Sequence, residues 1–187
     1  MDAIQVMLNE HERILGVLDA LDRFVADLHG TPEDKLELGR FVRFVREYAD
    51  ERHHGKEEHV LFAAMARNGF PPEQGPVGMM LFEHQELRGL VSELRALAQQ
   101  AAPWSPADRE RVGDAAGAYV SMLREHIMKE NEMLYPMAEE HLPPPAQREV
   151  DVACAALDEG RASAGTDAAL EELAARLVAA HADGPRG

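Results

Sequence analysis

The sequence has a single cysteine, Cys154, in 187 residues. An internal disulfide and any thiolate cluster are thereby excluded, so a metal held by this chain must rest on imidazole and carboxylate. Basic residues are scarce too: 19 Lys and Arg stand against 34 Asp and Glu, a formal net charge of -15. That is the wrong sign for phosphate backbones or an anionic membrane surface, and neither nucleic acid nor membrane is an expected partner. No apolar run approaches the length that spans a bilayer, and MDAIQVMLNEHERIL has no basic region ahead of an apolar core. The expectation is an unexported, cytoplasmic protein. No nucleophile motif, phosphate loop or dinucleotide fingerprint is present, and sustained strand-type alternation is missing.

What is there is helical periodicity. Apolar residues recur at three- and four-residue intervals through most of the chain, which predicts an all-α fold. Breaks fall at Gly30-Thr31-Pro32, Asn68-Gly69-Phe70-Pro71-Pro72, Ala102-Pro103-Trp104-Ser105-Pro106 and Pro143-Pro144-Pro145. Four long helices follow, at roughly 2–29, 33–67, 76–101 and 106–141, with short connections that make neighbours antiparallel. Residues 1–145 read as one four-helix bundle. Residues 146–187 read as an extension with additional C-terminal helices at roughly 146–159 and 167–182, which cap the bundle or pair two copies as a homodimer. His181 to Gly187 are expected to fray.

Compared with itself, the chain aligns its first helical pair with its second at one constant offset of 73 residues. His11 falls on His84, Gly16 on Gly89 and Leu21 on Leu94; His53 falls on His126, Lys56 on Lys129, Glu57 on Glu130, Leu61 on Leu134 and Phe62 on Tyr135. Each half thus carries one His on its first helix and a His-x-x-x-Glu on its second. Residues four apart share a helix face, so His53 with Glu57, and His126 with Glu130, point two ligating groups at one locus.

Stepping from His53 by threes and fours meets Leu38, Val42, Val45, Ala49, Val60 and Ala64, an apolar stripe that must face the core. His126 and Glu130 share a face with Ala115, Tyr119, Met122, Met133 and Met137. His11 sits among Ile4, Met7, Ile14, Leu18 and Val25, and His84 among Val77, Met80, Leu87, Val91 and Leu94. The rival frame, His54 with Glu58, steps through Arg43, Glu47 and Asp50 and is placed at the surface, with His54 near enough to the edge to lean inward. His29, His59, His141 and His181 have no partner at helical spacing and read as surface residues. Met79, Met80, Met122, Met128, Met133 and Met137 read as core filling rather than ligands. Tyr119 and Tyr135 read as core residues near the site, and Cys154 as a packed small residue outside the bundle.

Burying two carboxylates and four imidazoles is prohibitive unless a cation satisfies them. His11, His53, Glu57, His84, His126 and Glu130 are therefore the candidate metal ligands. Two negative charges suffice for two divalent ions, and the mixed nitrogen and oxygen set suits iron or manganese better than calcium, with zinc a competitor.

The order His, His-x-x-x-Glu, His, His-x-x-x-Glu, with the segments HHGKEEHVLF, GPVGMMLFEHQELRGLV and HIMKENEMLYPMA, resembles the hemerythrin-like, or HHE cation-binding, family over about residues 4–142. The resemblance implies an up-down-up-down four-helix bundle around two non-haem iron ions, bridged by the two carboxylates and an oxo or hydroxo group, with Zn or Mn as substitutes. It makes His11, His53, His84 and His126 terminal ligands and Glu57 and Glu130 bridges. The second-helix signature ends in Phe62-Ala63 where the family has Phe-Pro, a change in helix termination that need not touch the metal. From the oxygen carriers of that family the chain departs in that EHQELR offers one His, with Arg88 where a second would be, and that Glu130 replaces Asp. These departures argue against oxygen transport. The expected function is binding of a diatomic gas (O2 or NO) or of peroxide in gas or redox sensing, rather than a dedicated enzyme. The alternatives are a di-iron oxidoreductase acting on peroxide or nitric oxide, a ferroxidase, or a protein of iron storage or cluster repair.

Overall fold

The computed structural model describes residues 1–182, and they form helices joined by turns, with no strand among them. Helix α1 is Asp2–Ala26. Helix α2 runs over 32–67, α3 is Gly75–Gln99, α4 runs over 106–141, α5 is Pro144–Ser163 and α6 is Thr166–Ala180. The fold is all-α: a four-helix bundle, α1 to α4, with two further C-terminal helices. Prolines at the first turn and side-chain caps start the long helices where the sequence breaks predict. Thr31 and Ser105 each accept the backbone N–H three residues on, from Asp34 and Asp108, whose carboxylates accept in return. Gly30 makes the α1–α2 turn at φ +82°, a left-handed conformation that glycine adopts without strain.

α1 packs on α4, α4 on α3, and α3 on α2, while α6 lies along α1 and α2 and α5 against α1. Two apolar clusters result. One contains Leu18, Leu21, Phe41, Tyr48, Leu94, Val120 and Leu123, and takes in Leu170 and Leu177 of α6. The other contains Met7, Leu61, Met65, Met80, Leu134 and Tyr135, and takes in Val150 and Cys154 of α5. On the first three bundle helices the predicted site residues lie in sequence between the segments that feed these two clusters, and on the fourth His126 and Glu130 flank Ile127, the last residue there of the first cluster.

The second and fourth helices are not uniformly α. Val45–His54, Glu57–Leu61 and Glu130–Leu134 are π-helical, with wider turns in which an N–H reaches the carbonyl five residues back. Phe62 N–H bonds the Glu57 carbonyl, and Tyr135 N–H the Glu130 carbonyl. These two bonds are one repeat offset apart, so the duplicated hairpin carries a duplicated wide turn.

That turn corrects the predicted faces. Val60 and Met133, equivalent across the repeat and both expected in the core, are swung outward: Val60 is only partly buried and Met133 is half exposed, while Leu61 and Leu134 take the interior. Met79 and Met128, expected to fill core space, are also half exposed. His29, His59 and His141 are exposed as expected. His181 is not: its ring packs against Phe24 and Phe41 and its Nε2 meets Glu37 at 3.2 Å. Of the stretch expected to fray, 183–187 lie outside the described residues. No helix among the described residues is long and apolar enough to cross a membrane.

Candidate metal centre

All six predicted residues are buried and converge on one locus. His11, His53, Glu57 and Glu130 bring one ligating atom each to within 4.8 Å of one another, and so do His54, Glu57, His84 and His126. The two groups share Glu57. Glu130 reaches toward both, with Oε2 3.2 Å from His11 Nε2 and Oε1 3.0 Å from His126 Nε2.

His54 belongs to this locus, contrary to its expected place on the surface stripe. It is 2 % exposed and its ring stacks on His84 at 3.9 Å. The physical reason is the π-helical stretch that ends at His54. The prediction stepped through Arg43, Glu47 and Asp50 at the α-helical period, and wider turns shift each successive side chain relative to that period.

Every repeat-related imidazole is fixed from behind. His53 Nδ1 lies 2.8 Å from Glu10, His126 Nδ1 2.8 Å from Glu83, His84 Nδ1 2.7 Å from Glu58, and His11 Nδ1 2.7 Å from Asn131. An ionised carboxylate and an amide oxygen only accept, so each Nδ1 carries the proton and each Nε2 lone pair is turned inward. Glu10 and Glu83 are one offset apart, as are Glu58 and Asn131. Sequence reasoning missed Glu10 and Glu83, although each directly precedes an aligned histidine in an Glu-His pair.

The outer carboxylates are themselves neutralised. Lys56 donates to Glu10 at 2.6 Å, Lys129 to Glu83, and Arg88 to Glu58 at 2.8 Å. Arg88 also donates to Asp50 at 2.8 Å. Burial opposes the charge on Glu10, but His53 and Lys56 outweigh it and hold the carboxyl at about 2. The inner pair has no such partners. Glu57 Oε2, both Glu130 oxygens, His53 Nε2 and both His54 nitrogens are buried without a hydrogen bond, the approaches of Glu130 being close but misaligned. Only Glu57 Oε1 is served, by the Tyr135 hydroxyl at 2.6 Å.

The consequences appear in the titration of the core. Burial first, and then the charge of Glu130, push Glu57 well above the usual carboxylate range. Burial and His11 push His53 down to about 4. Burial also opposes charge on His126, yet Glu130 and Glu83 outweigh it and raise this imidazole to about 9. His84 Nε2 faces His126 Nε2 at 3.0 Å. With both Nδ1 atoms committed to carboxylates, two Nε2 lone pairs at that distance repel unless a positive charge stands between them. In the protein alone a proton on His126 supplies it. A bound cation does so equally, and would satisfy the orphaned acceptors as well. The residues fit a metal site.

Residues 2–138 match the hemerythrin HHE cation-binding domain. A probable iron-sulfur cluster repair protein of Haemophilus influenzae is 27% identical over 133 residues, covering 68% of this chain and 58% of that protein. The chain thus spans less than two thirds of the length of this relative. No solved structure matches. With its helical bundle, its duplicated His and His-x-x-x-Glu segments and a match over most of its length, this chain belongs to the hemerythrin HHE cation-binding domain family.

Proposed function

We propose that the chain holds two non-haem iron ions, one among His11, His53, Glu57 and Glu130 and one among His54, Glu57, His84 and His126, with Glu57 and Glu130 common to both. The reading rests chiefly on the orphaned inner carboxylate oxygens, which lie within reach of five inward-facing imidazoles while every outer carboxylate is already neutralised. An iron pair there would supply electrons and open coordination positions to dioxygen, nitric oxide or peroxide.

The chain's own residues set the conditions for that chemistry. Glu10, Glu58, Glu83 and Asn131 lock four imidazole tautomers, so that ligating atoms are in place before metal arrives. Tyr135 stacks on His11 at 5.5 Å and holds Glu57, and Phe62 stacks on His84 at 5.9 Å; these repeat-related rings close the locus on the side of the second apolar cluster. The surrounding core excludes bulk water.

Sensing of gas or redox state is the favoured role. It is supported by an unbroken line of hydrogen bonds from His53 through Glu10 and Lys56 to Asp158 on α5, outside the four-helix bundle. Anaerobic addition of nitric oxide to iron-loaded protein should give a saturable, reversible change in absorption without turnover. Continuous consumption of nitric oxide or peroxide, abolished in Glu130→Ala, would make the protein an oxidoreductase instead; no metal uptake and no spectral change would sink both roles.

Delivery of iron for cluster repair is a second reading, favoured by the name of the Haemophilus influenzae relative. It requires that iron-loaded protein rebuild a damaged cluster faster than the same amount of free ferrous iron.

A further inference from the structure

The two halves of the centre differ in what lies outside them. A cavity of about 190 Å³ opens between α2, α3 and α4 and reaches His54. Arg46, Arg88 and Arg95 line it against a single carboxylate, Asp50, and Tyr119 forms its inner wall. This is a cationic recess in a chain of net charge -15. At the repeat-related place between α4 and α1, Leu123 and Ile127 stand where Asp50 and His54 stand here, Ile14 and Leu18 replace Leu87 and Val91, and Asp22 replaces Arg95. Leu123, Ile127, Ile14 and Leu18 are buried and packed together in the first apolar cluster.

The donors around the cavity are not all used. Arg88 is committed to Asp50 and Glu58. Arg46 meets Glu47 at 2.9 Å through one terminal nitrogen, and its Nε lies 3.5 Å from Glu51 without a hydrogen bond. Arg95 has no ion pair among the described residues. His54 is buried with neither ring nitrogen in a hydrogen bond, its Nδ1 3.6 Å from Asp50. Burial raises the Tyr119 hydroxyl far above its ordinary value, which keeps it an O–H donor. A guest that satisfies these groups must accept hydrogen bonds and carry negative charge. A liquid water occupies about 30 Å³, so the cavity has room for about six waters or a small anion.

We propose that this cavity is a binding and access site for a small inorganic monoanion of azide or nitrite size, selected by Arg46 and Arg95 and delivered to the metal position beside His54. The proposal deepens the metal reading by naming the class of outside ligand, and its first test needs no metal. Crystals of metal-free protein soaked in sodium bromide should show anomalous scattering at the bromine edge inside the cavity. The signal should vanish in Arg46→Gln/Arg95→Gln, at one partly exposed and one exposed side chain, and the circular dichroism of the fold should be unchanged. An empty cavity in the wild type, or bromide that persists in the double variant as an adventitious ion only, overturns the proposal.

In iron-loaded protein the association rate of azide should fall at least about tenfold in Arg95→Glu and fall with added salt, while that of uncharged nitric oxide stays the same. An unchanged azide rate, or an equal loss for nitric oxide, also overturns it. Failure to take up iron would sink the metal reading and leave the bromide result to decide this one.

Discussion

Lys56, buried in the bundle, donates to both carboxylate oxygens of Asp158 on α5, at 3.1 and 3.2 Å, and its other contact is Glu10 behind His53. One ammonium thus joins the C-terminal extension to the tautomer lock of a candidate ligand.

Replacing that ammonium should be costly. Lys56→Ala leaves Glu10 with Arg52 and the His53 N–H as its remaining partners, and loss of a hydrogen bond between charged groups costs about 1.5–3 kcal/mol. Asp158 is a quarter exposed, so Asp158→Asn should cost much less. Urea denaturation of metal-free protein measures both; a loss below about 1 kcal/mol for Lys56→Ala would mean that the link carries no load.

Metal uptake should release protons near neutral pH. His126 is raised to about 9 and Glu57 is raised as well, so both bind protons in the metal-free protein that a ligating form must give up. The sign for His126 is definite: its contribution to metal-free stability is fully present below 6.5 and is lost as pH rises through 9. Metal affinity should climb across the same window. A pH-stat titration with ferrous iron or zinc at pH 7 should record about one proton or more per chain, and no release would contradict the assignment.

His54→Ala and His53→Ala should each lower the metal content from two ions per chain toward one, because the two histidines fall in different groups that share Glu57. Elemental analysis after loading and dialysis checks this. Full retention in His54→Ala would return His54 to the role of a packed neighbour.

The reason His54 escaped the sequence reading is local. Periodicity places a side chain only while the helical turn keeps its period, and Val45–His54 does not keep it. The same failure misplaced Val60 and Met133 inward of Leu61 and Leu134. The repeat, by contrast, depends on residue identity at a fixed offset and survives changes in backbone winding. It therefore brought out His11, His53, Glu57, His84, His126 and Glu130, and it held Glu10 and Glu83 as well. The cation-lined cavity was not legible, because Arg46, Arg88 and Arg95 come from two helices and only packing brings them together.

Tyr135→Phe should keep the stack on His11 but remove the donor to Glu57 Oε1, leaving a fourth inner carboxylate oxygen without a partner. Glu57 carries a proton in the metal-free protein, so this hydrogen bond joins neutral groups, and metal-free Tyr135→Phe should lose about 0.5–1.5 kcal/mol of stability. Thermal unfolding reads it. A loss above about 2 kcal/mol would mean that Glu57 is ionised in the metal-free protein.

Anomalous diffraction at the iron edge from loaded crystals tests the central claim most directly. It should show two peaks within the bundle, one bounded by His11, His53, Glu57 and Glu130 and the other by His54, Glu57, His84 and His126. No peak at that locus, or iron bound only elsewhere on the chain, would contradict the account.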